Sequence, residues 1–83
     1  MFQVYGIYNK KHQKIYIGQT HDLKNRLQLH QNQTFDNSYT SRFDGEWILI
    51  YSEVLSTRQE ALIREKQLKS FRGRQFIKQH IPG

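Results

Sequence analysis

Apolar positions recur with two different periods along this chain, and the changes of period mark the elements. Residues 2–8, Phe-Gln-Val-Tyr-Gly-Ile-Tyr, are rich in β-branched and aromatic side chains and predict a strand. A polar stretch from Asn9 to Gln13 predicts a turn, and residues 14–18, Lys-Ile-Tyr-Ile-Gly, the returning strand of a hairpin. The period then lengthens. Leu23 and Leu27 stand one helical turn apart just after Asp22, a good capping residue, which predicts a helix over 23–32. Residues 33–45 are polar, carry the turn signal Asp44-Gly45, and predict a loop. A third strand is predicted over 46–54, centred on Trp47 to Tyr51. Thr57-Arg58-Gln59-Glu60 is a capping box, so a second helix is predicted from there to Ser70, with Ala61, Leu62, Glu65 and Leu68 at helical intervals. Gly73 predicts a break, and residues 74–80 a short third helix ending before Pro82. The order β-β-α-β-α-α predicts an α+β fold: a small three-stranded antiparallel sheet flanked by helices.

The most informative pattern inside the hairpin is a near-palindrome, Gly6-Ile7-Tyr8, seven residues, then Tyr16-Ile17-Gly18. A register that pairs Tyr8 with Tyr16, Ile7 with Ile17 and Gly6 with Gly18 sends both isoleucines to one face, the predicted core. Both tyrosines and both glycines then share the other face, two phenols beside bare backbone. Glycine inside a strand often marks a close approach by a ligand. The same pattern also serves as ordinary cross-strand aromatic pairing with glycines that allow twist, each pair worth roughly 0.2–1 kcal/mol, and the hairpin alone leaves the two readings open.

The two triplets resemble the defining motifs of the GIY-YIG nuclease superfamily. The resemblance extends to Arg26, eight residues after Gly18, to His30 one turn later, and to Glu65 within Arg64-Glu65-Lys66-Gln67-Leu68-Lys69. It spans about Val4 to Lys78 and is closest to the small stand-alone bacterial members, which are similar to the nuclease domain of the bacterial excinuclease. It implies a metal-dependent endonuclease that hydrolyses DNA phosphodiester bonds, with Tyr8, Tyr16, Arg26, His30 and Glu65 as catalytic residues and Glu65 as the ligand of a single Mg²⁺ or Mn²⁺. A tyrosine, with Tyr8 preferred, would activate the attacking water. Tyr16 would hold phosphate or the water network, Arg26 would clamp the scissile phosphate, and His30 would orient phosphate or a tyrosine. Many relatives carry an asparagine where this chain has Ile77, twelve residues after Glu65; Gln75 and Gln79 are the nearest substitutes.

Residue chemistry bears on each assignment. A guanidinium donates two parallel hydrogen bonds to phosphate oxygens, yet by residue type alone Arg26 reads as a surface arginine paired with Asp22, four residues back. One carboxylate binds Mg²⁺ weakly, because the ion keeps most of its water and needs substrate phosphate to complete its shell. By residue type alone Glu65 reads as part of a surface network with Arg64 and Lys69. A phenol, with a reference pKa of about 10, is a poor base at neutral pH unless positive charge lowers that value; Lys14, two residues from Tyr16, is the predicted supplier. His12, His21 and His80 have no zinc-ligand spacing and read as surface residues. The loop segment Tyr39-Thr40-Ser41-Arg42 is typical of the small branch and offers Arg42 to backbone phosphate.

Composition narrows the field. The 83 residues suffice for one small domain, expected to span 1–83, with a thin core. The absence of cysteine excludes disulfides, cysteine zinc sites and thiol nucleophiles. The longest apolar run, Trp47 to Tyr51, is too short to cross a bilayer, and a cytoplasmic, membrane-free protein is expected. The net charge is +6, and residues 58–83 hold seven Lys/Arg against two Glu. That excess suits a polyanion, because each neutralised phosphate releases counterions. Lys14, Arg42, Lys66, Lys69, Arg72 and Arg74 are the predicted DNA contacts, with Lys78 beside them. No separate recognition domain is expected within 83 residues, so low sequence specificity or a targeting protein partner is expected. A nucleic-acid-binding module that does not cut, or cuts only with a partner, fits the charge equally well, and RNA stays open as a substrate.

Overall fold

A computed structural model describes residues 1–31 and 43–82. The elements follow the predicted order: β1 (Phe2–Asn9), β2 (Lys14–Thr20), α1 (Leu23–Gln31), β3 (Trp47–Leu55), α2 (Arg58–Lys69) and α3 (Phe71–Lys78). The strands form one antiparallel sheet in the order β2-β1-β3, so β1 is central and is buried continuously from Val4 to Tyr8 and Asn9. Most of the predicted loop, Tyr39 to Arg42 included, lies outside the described residues; its Asp44-Gly45 turn is present, with Gly45 at a φ of 97°.

The hairpin register differs from the predicted one by a single residue. Tyr5 faces Gly18, Gly6 faces Ile17, Ile7 faces Tyr16 and Tyr8 faces Ile15. The turn sets this register. Asn9 pairs with Lys14, and the loop between them closes with Gln13 in the left-handed region at φ 55° and the His12 amide donating to Asn9 Oδ1 at 3.1 Å. Because strand side chains alternate faces, a slip of one residue moves each of them to the opposite side. The two isoleucines are therefore on opposite faces, and Tyr8 does not share a face with Tyr16. The tyrosine that does is Tyr5.

Both faces of the sheet are covered, where a single core face was expected. On one side Tyr5, Ile7 and Trp47 form a buried cluster, completed by Tyr16, by Leu23 and Leu27 of α1 and by Phe43. On the other, Val4 and Ile17 pack against Ala61 and Leu68 of α2 and Ile77 of α3. Trp47 and Tyr51 would share a face in a regular strand. A bulge, seen as a register shift opposite Gly6/Ile7, lets Trp47 join the first cluster while Tyr51 joins the second.

Local signals explain the helix boundaries. Asp22 Oδ1 accepts from the Asn25 amide at 3.2 Å, capping α1. The predicted capping box of α2 is complete, with Thr57 and Glu60 bonding reciprocally. Gly73 is not a break but lies inside α3. Ser70 ends α2 and caps α3, and the close approach of the two helices leaves no space for a side chain at residue 73, where a Cβ would collide with the backbone of Gln67 and Leu68.

Candidate active site

The site grows from the face of the sheet that α1 covers. Tyr5 stands on the central strand with 1% of its surface exposed, and its ring centroid lies 6.3 Å from that of Tyr16 on β2. Gly18, directly opposite Tyr5, makes this pairing possible. A Cβ there would sit 2.8 Å from the Tyr5 hydroxyl oxygen and 2.9 Å from Tyr16 Cε2, so the absent side chain is the space both phenols occupy.

Helix α1 delivers Arg26. Leu23 and Leu27 pack on the Tyr5 cluster, and the half-buried Arg26 lies between them in helical spacing, so burial of the leucines brings its stem along the same side. Helix α2 delivers Glu65 by the same logic from the other face. Ala61 and Leu68 are buried, and Glu65 stands four residues after one and three before the other, on the inward stripe. Its side chain is only 20% exposed, with Lys69 Nζ at 3.6 Å from Oε1. Arg64 leaves the network expected for it with Glu65. Its Nε donates instead to Glu53 Oε2 at 3.0 Å, where Tyr51 Oη also donates.

Electrostatics ties the four groups together. Burial pushes the Tyr5 phenol well above its ordinary value, the neighbouring Tyr16 and the Glu65 carboxylate push it further, and the Arg26 guanidinium opposes them. Tyr16 is also raised, by burial first and by Glu65 second, again with Arg26 opposing. Arg26 and Glu65 thus act on both phenols in one field. Lys14, the expected source of positive charge, is exposed and lies over the Phe43 ring at 5.7 Å; the cation that lowers the phenols is Arg26.

The remaining predicted residues divide. Tyr8 is buried, with 9% exposure, on the face toward α2 and α3, away from Tyr16. The backbone of His30 belongs to α1, one turn beyond Arg26, but its side chain and all of Arg42 lie outside the described residues. Lys69 and Arg74 line a cleft of about 270 Å³ with Ile15, Tyr16 and Ile17, and Lys69 also pairs with Glu65. Arg72 instead borders a separate cleft with Arg64, Gln67 and Phe76, and Lys66 and Lys78 are exposed on the helices. His12 pairs with Asp44 at 2.7 Å, and His80 packs against Tyr51 and Phe76.

The sequence matches the family described as the GIY-YIG catalytic domain over residues 1–78. The chain belongs to this family. It is 33% identical over 79 residues to UvrABC system protein C from Vibrio cholerae serotype O1, equally in strain M66-2 and in strain ATCC 39315. That match covers 95% of this chain but only 12% of the relatives' length. No solved structure matches. The protein therefore carries an endonuclease-type GIY-YIG catalytic domain.

In this GIY-YIG domain the tyrosine that packs beside the YIG tyrosine on one sheet face comes from Gln3-Val4-Tyr5, not from the triplet that spells the motif. A sequence signal for Tyr5 exists: a four-residue turn, Lys10 to Gln13, places Tyr5 opposite Gly18 and beside Tyr16. The hard-oxygen ligand that the site offers is the Glu65 carboxylate, whose negative field also reaches both phenols. That chemistry fits a hard divalent cation held by one carboxylate and completed by water and phosphate. Among the described residues no group of three or more His, Cys, Asp and Glu gathers elsewhere to hold a metal.

Proposed function

We propose that this chain is a metal-dependent endonuclease that hydrolyses DNA phosphodiester bonds with low intrinsic sequence specificity. The observation that carries the reading is the common field of Tyr5, Tyr16, Arg26 and Glu65, groups spread over four elements and about sixty residues of chain. Phosphodiester hydrolysis needs a proton acceptor for water, a cation against the phosphate oxygens and charge stabilisation at the leaving oxygen.

Tyr16 is half-buried and lines the cleft, so it is the tyrosine that would meet water, and its phenolate form would take the proton. Tyr5 is wholly buried and strongly raised, so it stays protonated and donates a hydrogen bond, to a phosphate oxygen or to the Tyr16 phenolate. Arg26 opposes the rise of both phenols and offers a bidentate clamp for the scissile phosphate. Glu65 would hold a single Mg²⁺ or Mn²⁺, which when bound supplies Lewis-acid stabilisation of the leaving oxygen. His30 and Arg42 complete the reading as phosphate contacts, and Tyr8 as a packing residue on the opposite face. Lys66, Lys69, Arg72, Arg74 and Lys78 contact backbone phosphates, which position DNA without reading its sequence. The relatives' name describes one component of a system, which supports a targeting partner for this chain by analogy.

A second reading, a binding module that does not cut by itself, draws support from the Glu65–Lys69 pair, since Lys69 competes with a metal for the carboxylate. A panel of branched, single-stranded and duplex DNA and of RNA, incubated with and without Mg²⁺ or Mn²⁺, separates the two. Metal-dependent nicking of DNA supports the enzyme. Stable binding with every substrate left intact supports the module.

A further inference from the structure

The basic residues of the last third are not placed alike. Of them, Lys69 and Arg74 border the cleft beside Tyr16. The rest of its lining is Ile15 and Ile17, so the cleft joins the apolar edge of strand β2 to two cations. Arg74 is held in place: its Nε donates to the Lys69 carbonyl at 3.1 Å, and among the described residues no carboxylate pairs with it. A guanidinium fixed by its neighbour's backbone and left without an acidic partner is preorganised for an external anion. The volume of about 270 Å³ is at the small end of ligand clefts and suits one nucleotide, not a stretch of duplex.

We propose that this cleft receives one unpaired nucleotide next to the scissile phosphate, and that the substrate class is therefore DNA with an unpaired strand at the cut. The inference rests on the nuclease reading for the word "cut", but the cleft's preference stands separately. A base inside a duplex is stacked and paired, and entering a concave site means extruding it at the cost of both interactions. A base in an unpaired strand carries no such cost. Its apolar face meets Ile15 and the edge of Ile17, and its phosphate meets Arg74 and Lys69. Duplex DNA is left with the exposed cations on α2 and α3, a contact any polyanion satisfies.

The test is fluorescence anisotropy of the intact chain with a labelled oligodeoxynucleotide, free or annealed to its complement, with a chelator present so that nothing is cut. The wild type binds the unpaired strand about tenfold or more tighter than the duplex. Arg74→Ala, an exposed position, removes most of that difference. Ile15→Trp fills the cleft without removing charge and does the same, provided its melt stays cooperative. Equal wild-type affinity for strand and duplex overturns the proposal, as does an Arg74→Ala protein that weakens on both in equal proportion. A wild type that prefers the unpaired strand but never cuts it leaves the cleft assignment standing and removes the nuclease reading alone.

Discussion

At Gly18 the missing side chain defines the site, because two phenols occupy its place. Gly6, the other glycine of the near-palindrome, differs: a Cβ there would meet Ile77 at 3.5 Å, an ordinary contact. Gly18→Ala is expected to lose cleavage while keeping its fold, whereas Gly6→Ala keeps both, as read by turnover alongside circular dichroism. The tyrosines divide in the same way. Tyr5→Phe and Tyr16→Phe are expected to lower the single-turnover rate by about 10²–10⁴-fold, the usual worth of a positioned acid or base. Tyr8→Phe stays within a few-fold of wild type; a collapse of activity in that variant alone would return the role to Tyr8. Because the Tyr16 phenol is raised above its ordinary value, its phenolate fraction is small at neutral pH and grows through the alkaline range. The rate of the wild type should therefore still climb at about pH 9, and Tyr16→Phe should flatten that limb. At this scale Tyr16, Arg26 and Glu65, nominated from the sequence by local or helical spacing, are groups that the structure brings into one field. The position of Tyr5 beside Tyr16 was hidden, because a literal motif three residues further on matched better than the register that the turn imposes.

The elements were legible where their determinants are local. Asp22 and the Thr57–Glu60 box mark helix starts by hydrogen bonds within one turn of chain. The α2–α3 joint was not, because Gly73 is required by a neighbouring helix and its own backbone needs no glycine. Gly73→Ala should destabilise the protein by roughly 1–3 kcal/mol, the usual range for overpacking, with a lowered melting temperature as the readout. The coverage of both sheet faces was hidden for the same reason: only tertiary contact tells which side of β1 each helix takes. A further tether holds the approach to β3. Asp44 pairs with Lys11 at 2.5 Å and with His12 at 2.7 Å, and the buried Asn9 amide donates to its carbonyl at 2.9 Å. The Lys11 and His12 hydrogen bonds lower the Asp44 carboxyl from 3.8 to about 2. A depressed acid contributes stability that is present above its unfolded value and lost as the pH falls through the folded one. Thermal melts should thus show the wild type losing stability between about pH 4 and pH 2, and Asp44→Asn losing less over that interval.

Over the whole molecule, a central strand buried on both sides brings together groups that no helix or hairpin could assemble alone. β1 supplies Tyr5, β2 supplies Tyr16 and Gly18, α1 lays Arg26 over one face, and α2 brings Glu65 from the other. The positive charge is concentrated in α2, α3 and the residues that follow, the same third of the chain that carries the carboxylate. The helices that carry most of the positive charge thus also hold the acidic residue of the candidate site. Everything proposed for cleavage requires Glu65 to take part in the chemistry rather than in a surface network. The decisive assay is single-turnover cleavage of labelled DNA by the wild type and by Glu65→Ala, at protein concentrations that saturate binding of both. Metal-dependent product from the wild type and none from Glu65→Ala at equal occupancy is the expected outcome; equal rates from the two proteins would remove Glu65, and the metal it is proposed to hold, from the reaction.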